Sequence, residues 1–379
     1  MTKGTAKALA TLRHMSAVGL PAGQVFRSVA QCLRELAAFD SATLVLYDDA
    51  IQVTDAFLTH DVRLPIAQRY FDRWFNREEG RYFPTHAQAA RGAAADVFRA
   101  SDFSGALWDT ELYDEVFQHL GFYRMASVML RVGDRAVGNL SVGRPSGGRD
   151  FNPLELRRLN HAAQLAALAL SSHEPADAEA ETEALETFES AFLVMAGDGG
   201  VQSLSLNAVR LLRWAALTPQ EHEAGVIQAC LTSPDREQHT FLWARPLLQE
   251  LARRLIAAEA GRPGPAPVLR RRTRYGEMVM RAFVMQHGGV AGPELIGVEI
   301  KRRTPLEARL FASPTFRNLT PQEQVVCRRL LRGASQPEIA REMSLSPHTV
   351  VSHVRNLYRE CGVSSREDLK ATILQRQDP

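Results

Sequence analysis

A chain of 379 residues, 45% apolar and 23% charged, carries enough apolar material for two or three separately cored domains, and this composition excludes fibrous and wholly disordered classes. Its formal charge of +2 is unevenly spread: from Lys301 onward fourteen Lys or Arg face eight Asp or Glu, a balance of +6 that leaves −4 for everything before it. Cys32, Cys230, Cys327 and Cys361 lack metal or redox spacing and read as reduced thiols; no apolar run approaches the roughly 18 residues of a membrane span, and none heads the chain as a signal peptide, so a cytoplasmic protein with no membrane partner is expected.

In chain order, Phe26 to Leu36 is amphipathic, and Ser41 to Tyr47 reads as a strand ending in Asp48-Asp49. Aromatic residues then cluster: Tyr70, Phe71, Trp74 and Phe75, followed by Trp108, Tyr113, Phe117 and Phe122. Aromatics at helical spacing usually build core; Trp74 and Trp108 are the candidates to line a ligand pocket. His60 and His86 have no partner at metal-ligand spacing, so no metal and no cofactor is expected. Two strands, Tyr123–Val132 and Arg135–Arg144, flank Gly133-Asp134, a strong hairpin signal, and Asn152-Pro153 caps a helix over Leu154–Leu170. Helix, strand, helical insert, hairpin and closing helix make an α+β unit on an antiparallel sheet.

Residues 171–189, rich in alanine and acidic side chains, read as a linker that turns helical near Thr182. Beyond it, Ala191–Met195 and Val201–Leu204 pair across Gly197-Asp198-Gly199-Gly200 and lead through Asn207 into a helix around Leu211 and Leu212. The Pro- and Gly-rich run from Gly261 to Pro267 is a loop, and Gly276–Met285 and Glu294–Arg303 alternate as strands.

The last sixty residues hold the clearest signals. Thr320-Pro321-Gln322-Glu323 and Ser335-Gln336-Pro337-Glu338 are capping boxes opening two short helices, the first of which Gly333 stops. After the turn Ser344-Leu345, Ser346 caps a third helix with Pro347 at its first position, and Gly362 sits where a left-handed C-cap is expected, before a fourth helix after Ser365. The third helix has two faces. Val350, Val354, Leu357 and Cys361 form an apolar stripe; the opposite side carries His348, Ser352, Arg355 and Arg359, with Val351 at its edge, and Thr349, His353 and Asn356 line one flank. Two helices joined by so tight a turn form a helix-turn-helix, whose second member can enter a major groove. On that geometry Val351, Ser352 and Arg355 approach base edges, while Thr349, His353, Asn356 and Arg359 reach phosphates. The excess of basic charge lies where a phosphate backbone would require it.

Three resemblances follow from these residues. Leu319-Thr320-Pro321-x-Glu323, Gly333-x-Ser335-x-x-Glu338-Ile339-Ala340, Ser344-x-Ser346-x-x-Thr349-Val350-x-x-His353-Val354 and Gly362-Val363-Ser364-Ser365-Arg366 resemble the LuxR-type helix-turn-helix domain without a gap. That resemblance implies sequence-specific double-stranded DNA binding as a homodimer and control of transcription, with RNA polymerase as a further partner. Val351 departs from the pattern, which often holds lysine there. Gly138 to Arg144, followed by Asp150-Phe151-Asn152-Pro153 and a helix, resembles the end of a GAF domain, and the order of elements from Ala191 to Arg303 resembles a PAS domain. Both imply a sensor that holds a small-molecule effector.

The expected architecture is multidomain α+β: a GAF-like domain over 1–172, an acidic linker over 173–187, a PAS-like domain over 188–304, and an all-α four-helix DNA-binding domain over 305–379. The expected function is a one-component, dimeric, DNA-binding transcriptional regulator and not an enzyme, since no phosphate loop, nucleophile elbow or catalytic carboxylate pair is present. The alternative is control by phosphorylation or by a protein partner, with Asp48-Asp49 standing where an acidic pair could accept phosphate.

Overall fold

The computed structural model describes residues 3–59, 64–103, 106–170, 185–216, 241, 244–285 and 295–374. Two helices, α1 (Lys3–Val18) and α2 (Ala22–Arg34), precede β1 (Ser41–Tyr47) and the edge strand β2 (Val53–Leu58). A helical insert follows: α3 (Leu64–Arg69), running on as a π turn over Tyr70–Trp74, then α4 (His86–Ala90). After the short β3 (Val97–Arg99), β4 (Arg124–Val132) and β5 (Arg135–Arg144) form the expected hairpin, with Gly133 in the left-handed region its turn requires (φ 62°). The sheet is antiparallel throughout, in the order β2-β1-β5-β4-β3.

One face of this sheet, through Leu44, Leu46, Val128, Leu130, Leu140 and Val142, belongs to a core shared with the closing helix α5 (Pro153–Leu170), which lies on the sheet and on which α1 and α2 pack in turn. The other lies under the insert, whose core is largely aromatic. Asn152 caps α5, its Oδ1 accepting from the backbone N–H of Leu154 and Glu155. Arg144, buried at the end of β5, locks strand, loop and helix together. It donates to the Ala38, Arg149 and Asp150 carbonyls and pairs with buried Glu155 at 2.9 Å.

The second sheet repeats this topology. It is built from β6 (Leu185–Ala196), β7 (Val201–Leu204), β8 (Val268–Thr273), β9 (Gly276–Met285) and β10 (Leu295–Pro305), again antiparallel, in the order β7-β6-β10-β9-β8. Helices α6 (Ala208–Ala216) and α7 (Arg245–Glu259) cover its inner face through Leu211, Leu212, Leu248 and Leu251. Strand β6 already runs from Leu185, so pairing with β10 takes over the C-terminal end of the expected linker; Thr182 lies outside the described residues.

Strand β10 leads directly into α8 (Leu306–Ala312) and α9 (Pro314–Asn318), and then into the C-terminal bundle: α10 (Pro321–Leu331), α11 (Gln336–Glu342), α12 (Pro347–Cys361) and α13 (Arg366–Leu374). The bundle is docked on the rest of the chain. Helix α1 touches α8, α9 and α10, and Gln324 of α10, fully buried, donates to Thr11 of α1 at 2.9 Å. Among the described residues no helix is long and apolar enough to cross a membrane, and no cluster of three or more His, Cys, Asp or Glu could hold a metal ion.

Candidate nucleic-acid interface and sensor cavity

The bundle is capped as its sequence dictates. Thr320 and Ser335 form reciprocal capping boxes with Glu323 and Glu338, and Ser346 accepts from the Thr349 N–H at 3.1 Å. Gly362 closes α12 in the left-handed region (φ 66°). Ser344, in the turn between α11 and α12, adopts a positive φ of 53° without being glycine. With its ends fixed, α12 buries Val350, Val354 and Leu357 against the bundle. Its opposite side stays open: Val351, Ser352, Arg355 and Arg359 are exposed, and Thr349, His353 and Asn356 are half-buried along one flank. Arg355 and Arg359 make no ion pair among the described residues, so both charges are available to an external anion.

The second site lies in the first sheet, under the insert. Two adjoining cavities, of about 60 and 20 Å³, share Tyr70, His86, Phe117 and Ser141. The larger is apolar, walled by Leu58, Ile66, Phe71, Val116, Leu120 and Phe122 among others. The floor of the smaller is polar: Ser127, Asn139 and Ser141 on β4 and β5 are buried and bonded to one another at 2.8 to 3.2 Å. Behind them runs a hydrogen-bonded chain. The Tyr47 hydroxyl meets His86 Nδ1, His86 Nε2 lies 3.0 Å from the Tyr70 hydroxyl, and that hydroxyl donates to Glu79 at 2.9 Å.

Burial sets the protonation of this chain. Desolvation pushes the His86 pKa down to about 3, so its ring is neutral, and pushes the Glu79 carboxyl up to about 7 against the backbone N–H bonds that favour its charge. When Glu79 is ionised, the one consistent direction of donation runs from Tyr47 to His86 Nδ1, from Nε2–H to Tyr70, and from Tyr70 to Glu79.

The sequence from 317 to 372 matches the family of bacterial regulatory proteins, luxR family (GerE), and that from 21 to 170 matches the GAF domain. The chain carries a luxR-family domain behind a GAF domain. It is 31% identical over 126 residues to proteins named "Probable transcriptional regulatory protein NarL" from two strains of Mycobacterium tuberculosis, CDC 1551 / Oshkosh and ATCC 25618 / H37Rv. Those matches take in 32% of this chain and 55% of each relative, so the chain spans about half the length of the curated relatives it matches. Among solved structures it is similar to a cyanobacteriochrome TePixJ GAF domain (18% identity, 42% of this chain and 91% of that one, TM-score 0.28) and to the sensor region of a sensor histidine kinase (17% identity, 74% and 90%, TM-score 0.16).

Within the luxR-family domain, every residue expected to face DNA lies on the open side or the flank of α12. Within the GAF domain the two tryptophans expected at the pocket line neither cavity. Trp74 is fully buried, donating to Glu115 at 2.9 Å under the Arg73 guanidinium, and Trp108 stacks on Tyr123 with Arg124 over its outer face. The single-ring aromatics Tyr70, Phe71, Phe117 and Phe122 take the lining positions instead. His86, expected to ligate no metal, is the polar hub of the site; His60 and Cys230 lie outside the described residues. Asp48 closes the β1–β2 turn, its carboxylate accepting from the Ala50 and Gln52 N–H groups, and Asp49 pairs with Arg135. Cys32 and Cys327 are buried and desolvation raises both thiols, Cys32 to about 12, which makes them inert.

Proposed function

We propose that this protein is a one-component transcriptional regulator, which binds double-stranded DNA through α12 as a homodimer and is controlled by a small-molecule effector in the GAF-domain cavity. The observation that carries the reading is the open side of α12: an exposed, unpaired Arg355 beside Ser352 and Val351, on a helix whose other side is committed to the bundle. Val351, Ser352 and Arg355 are the base-side residues, and Thr349, His353, Asn356 and Arg359 the phosphate-side ones. Val351 offers a methyl contact to thymine where a basic residue would have held phosphate or guanine. The Mycobacterium relatives, named as transcriptional regulatory proteins, support the same class. RNA polymerase is the further partner that such a role implies, and the work is binding in the cytoplasm rather than catalysis. The boundaries 1–172, 188–304 and 305–379 mark the three domains, the middle one PAS-like in its order of elements.

Control would follow a physical route. On β2, Ala56 and Leu58 line the cavity, while Asp55 pairs with Arg274 and Phe57 meets Tyr275, both at the tip of the β8–β9 hairpin. From that hairpin the sheet continues through β10 into α8 and the bundle. An effector shifts the arrangement only as far as its affinity differs between the two states.

The test is anisotropy of the full chain on random and genomic DNA at two salt concentrations, with wild type and Arg355→Ala. Site-selective binding, weakened in the variant by about 1–3 kcal/mol on the selected site, is expected. An equal loss on random DNA makes Arg355 a phosphate contact, and no sequence preference with a shallow salt slope makes α12 a protein-docking surface.

A further inference from the structure

The floor of the GAF-domain cavity is built at a cost that packing does not explain. Ser127 and Ser141 sit opposite each other on β4 and β5, with Asn139 two residues before Ser141 on the same side. All three are buried in the middle of a sheet whose other side, at Ala126, Val128, Leu140 and Val142, is wholly apolar. A buried polar group in such a place costs free energy unless its bonds are made, and the mutual bonds here leave capacity over. Asn139 donates one amide hydrogen to Ser127 and keeps a second; Ser141 spends its hydrogen on Asn139 Oδ1 and keeps its lone pairs. Ser141 lines both cavities, so this spare donor and acceptor stand at the junction of a polar niche and an apolar chamber.

The chamber's size and charge fix the rest. One buried water needs about 10–15 Å³, so cavities of about 60 and 20 Å³ hold on the order of five to eight non-hydrogen atoms. Among the described residues no Lys, Arg, Asp or Glu lines either cavity, and His86, with both ring nitrogens engaged, is neutral. An ionised ligand would lose its hydration here and gain no counter-charge.

We propose that the cavity takes a small neutral molecule of the size of a single ring, with one hydroxyl or amide group that donates to Ser141 and accepts from Asn139. This rests on the reading of the cavity as the effector site given above, and it names the class of effector. Nucleotides are excluded by size and charge, and so are carboxylates by charge.

The experiment titrates the full chain with phenol, benzene, benzoate and cyclic GMP, reading heat of binding and thermal midpoint. Phenol saturates and raises the midpoint, benzene binds about thirtyfold more weakly for want of two neutral hydrogen bonds, and benzoate and cyclic GMP do not bind. Ser141→Ala, which keeps the strand and loses only the hydroxyl, weakens phenol about fivefold by the one bond lost, with the Asn139 bond remaining, and leaves benzene unchanged. Benzoate or cyclic GMP binding as tightly as phenol overturns the neutral class. Equal affinity for benzene and phenol in the wild type overturns the role of Ser141 and Asn139, and no saturable binding of either ring overturns the proposal as a whole. DNA anisotropy run with and without phenol separates this from the wider reading: phenol that binds as described and leaves DNA affinity unmoved sinks the effector role while the ligand class stands.

Discussion

Gly23→Ala puts the junction between the two sheets to a test whose sign is diagnostic. Gly23 lies in the first turn of α2, where alanine is ordinarily the better residue by about 0.5–1 kcal/mol, somewhat less so near a helix end. A β-carbon there would stand 2.8 and 3.0 Å from two atoms of the Tyr275 ring and 3.1 Å from the Arg274 carbonyl oxygen. The ring has no room to retreat, being stacked on Trp214 at 4.3 Å and set edge-on against Phe57. The carbonyl is backbone at the tip of a hairpin that the Arg274–Asp55 ion pair also holds. Overpacking of this kind costs about 1–3 kcal/mol, which exceeds the helical gain, so the variant should lose about 1–2 kcal/mol. The assay is urea denaturation of the full chain, followed by tryptophan fluorescence because Trp214 sits in the junction. Repeating the substitution in a Tyr275→Ala background removes the ring, and most of the penalty should go with it. A Gly23→Ala protein more stable than wild type would mean that the hairpin does not sit against α2, and the proposed route from cavity to bundle would fall with it.

Other expectations are independent of the junction. Thr11→Ala and Gln324→Ala, singly and together, should show a coupling of about 0.5–1.5 kcal/mol in urea midpoints, since the bond between these fully buried side chains ties α1 to the luxR-family domain; additive losses would leave the bundle undocked from α1. Ser344→Gly should raise stability by about 0.5–1 kcal/mol by relieving a positive φ, and a loss measured by thermal unfolding would show that the serine side chain holds the turn. Between about pH 4.5 and 6.5 Glu79 and His86 act oppositely: Glu79, raised to about 7, is protonated in the folded state and loses stability as pH rises, whereas His86, lowered to about 3, is neutral when folded and gains it. Glu79→Gln should therefore unmask a rise in stability with pH steeper than wild type by up to about 1.4 kcal/mol per unit, and parallel profiles would place the Glu79 pKa in the ordinary range.

What was legible in the sequence was what local chemistry dictates. Caps at Thr320, Ser335 and Ser346, the C-cap at Gly362 and the hairpin at Gly133-Asp134 all depend on neighbours within four residues, and the structure has each where the sequence puts it. Strand β2 was not legible, although its partner β1 lies just before it, because its apolar pattern is short; helix α1 was not, because it packs on α5 and the C-terminal helices, far along the chain, and α8 and α9 are too short to show a clear pattern. The cavity was missed for a different reason. Ser127, Asn139 and Ser141 alternate with apolar residues as the solvent-facing side of an ordinary strand does, and only the insert folding over them turns that side into a floor. Trp74 and Trp108 attracted attention by size, yet large amphipathic rings with an N–H or a cation to satisfy settled where Glu115, Arg73 and Arg124 were available.

The placement of α12 bears on how control can operate. The side of α12 proposed to meet DNA is already exposed while the bundle is docked on α1 and α8, so an effector would have no helix to uncover. What it can change is the bundle's setting relative to the sensor. That setting is held at a few identifiable places: the Thr11–Gln324 bond, the contact of α13 with α8, and the ion pair from Arg332 to buried Glu307 at 2.6 Å. In a dimer that reads two half-sites, a small rotation there alters the spacing of the two α12 helices, and a spacing error is felt at every base contact at once. Regulation by spacing then predicts a signature that unmasking does not. Weakening the Thr11–Gln324 bond should change affinity for paired half-sites while leaving affinity for a single half-site as it was; equal changes on both would mean that the docking contacts shape α12 itself.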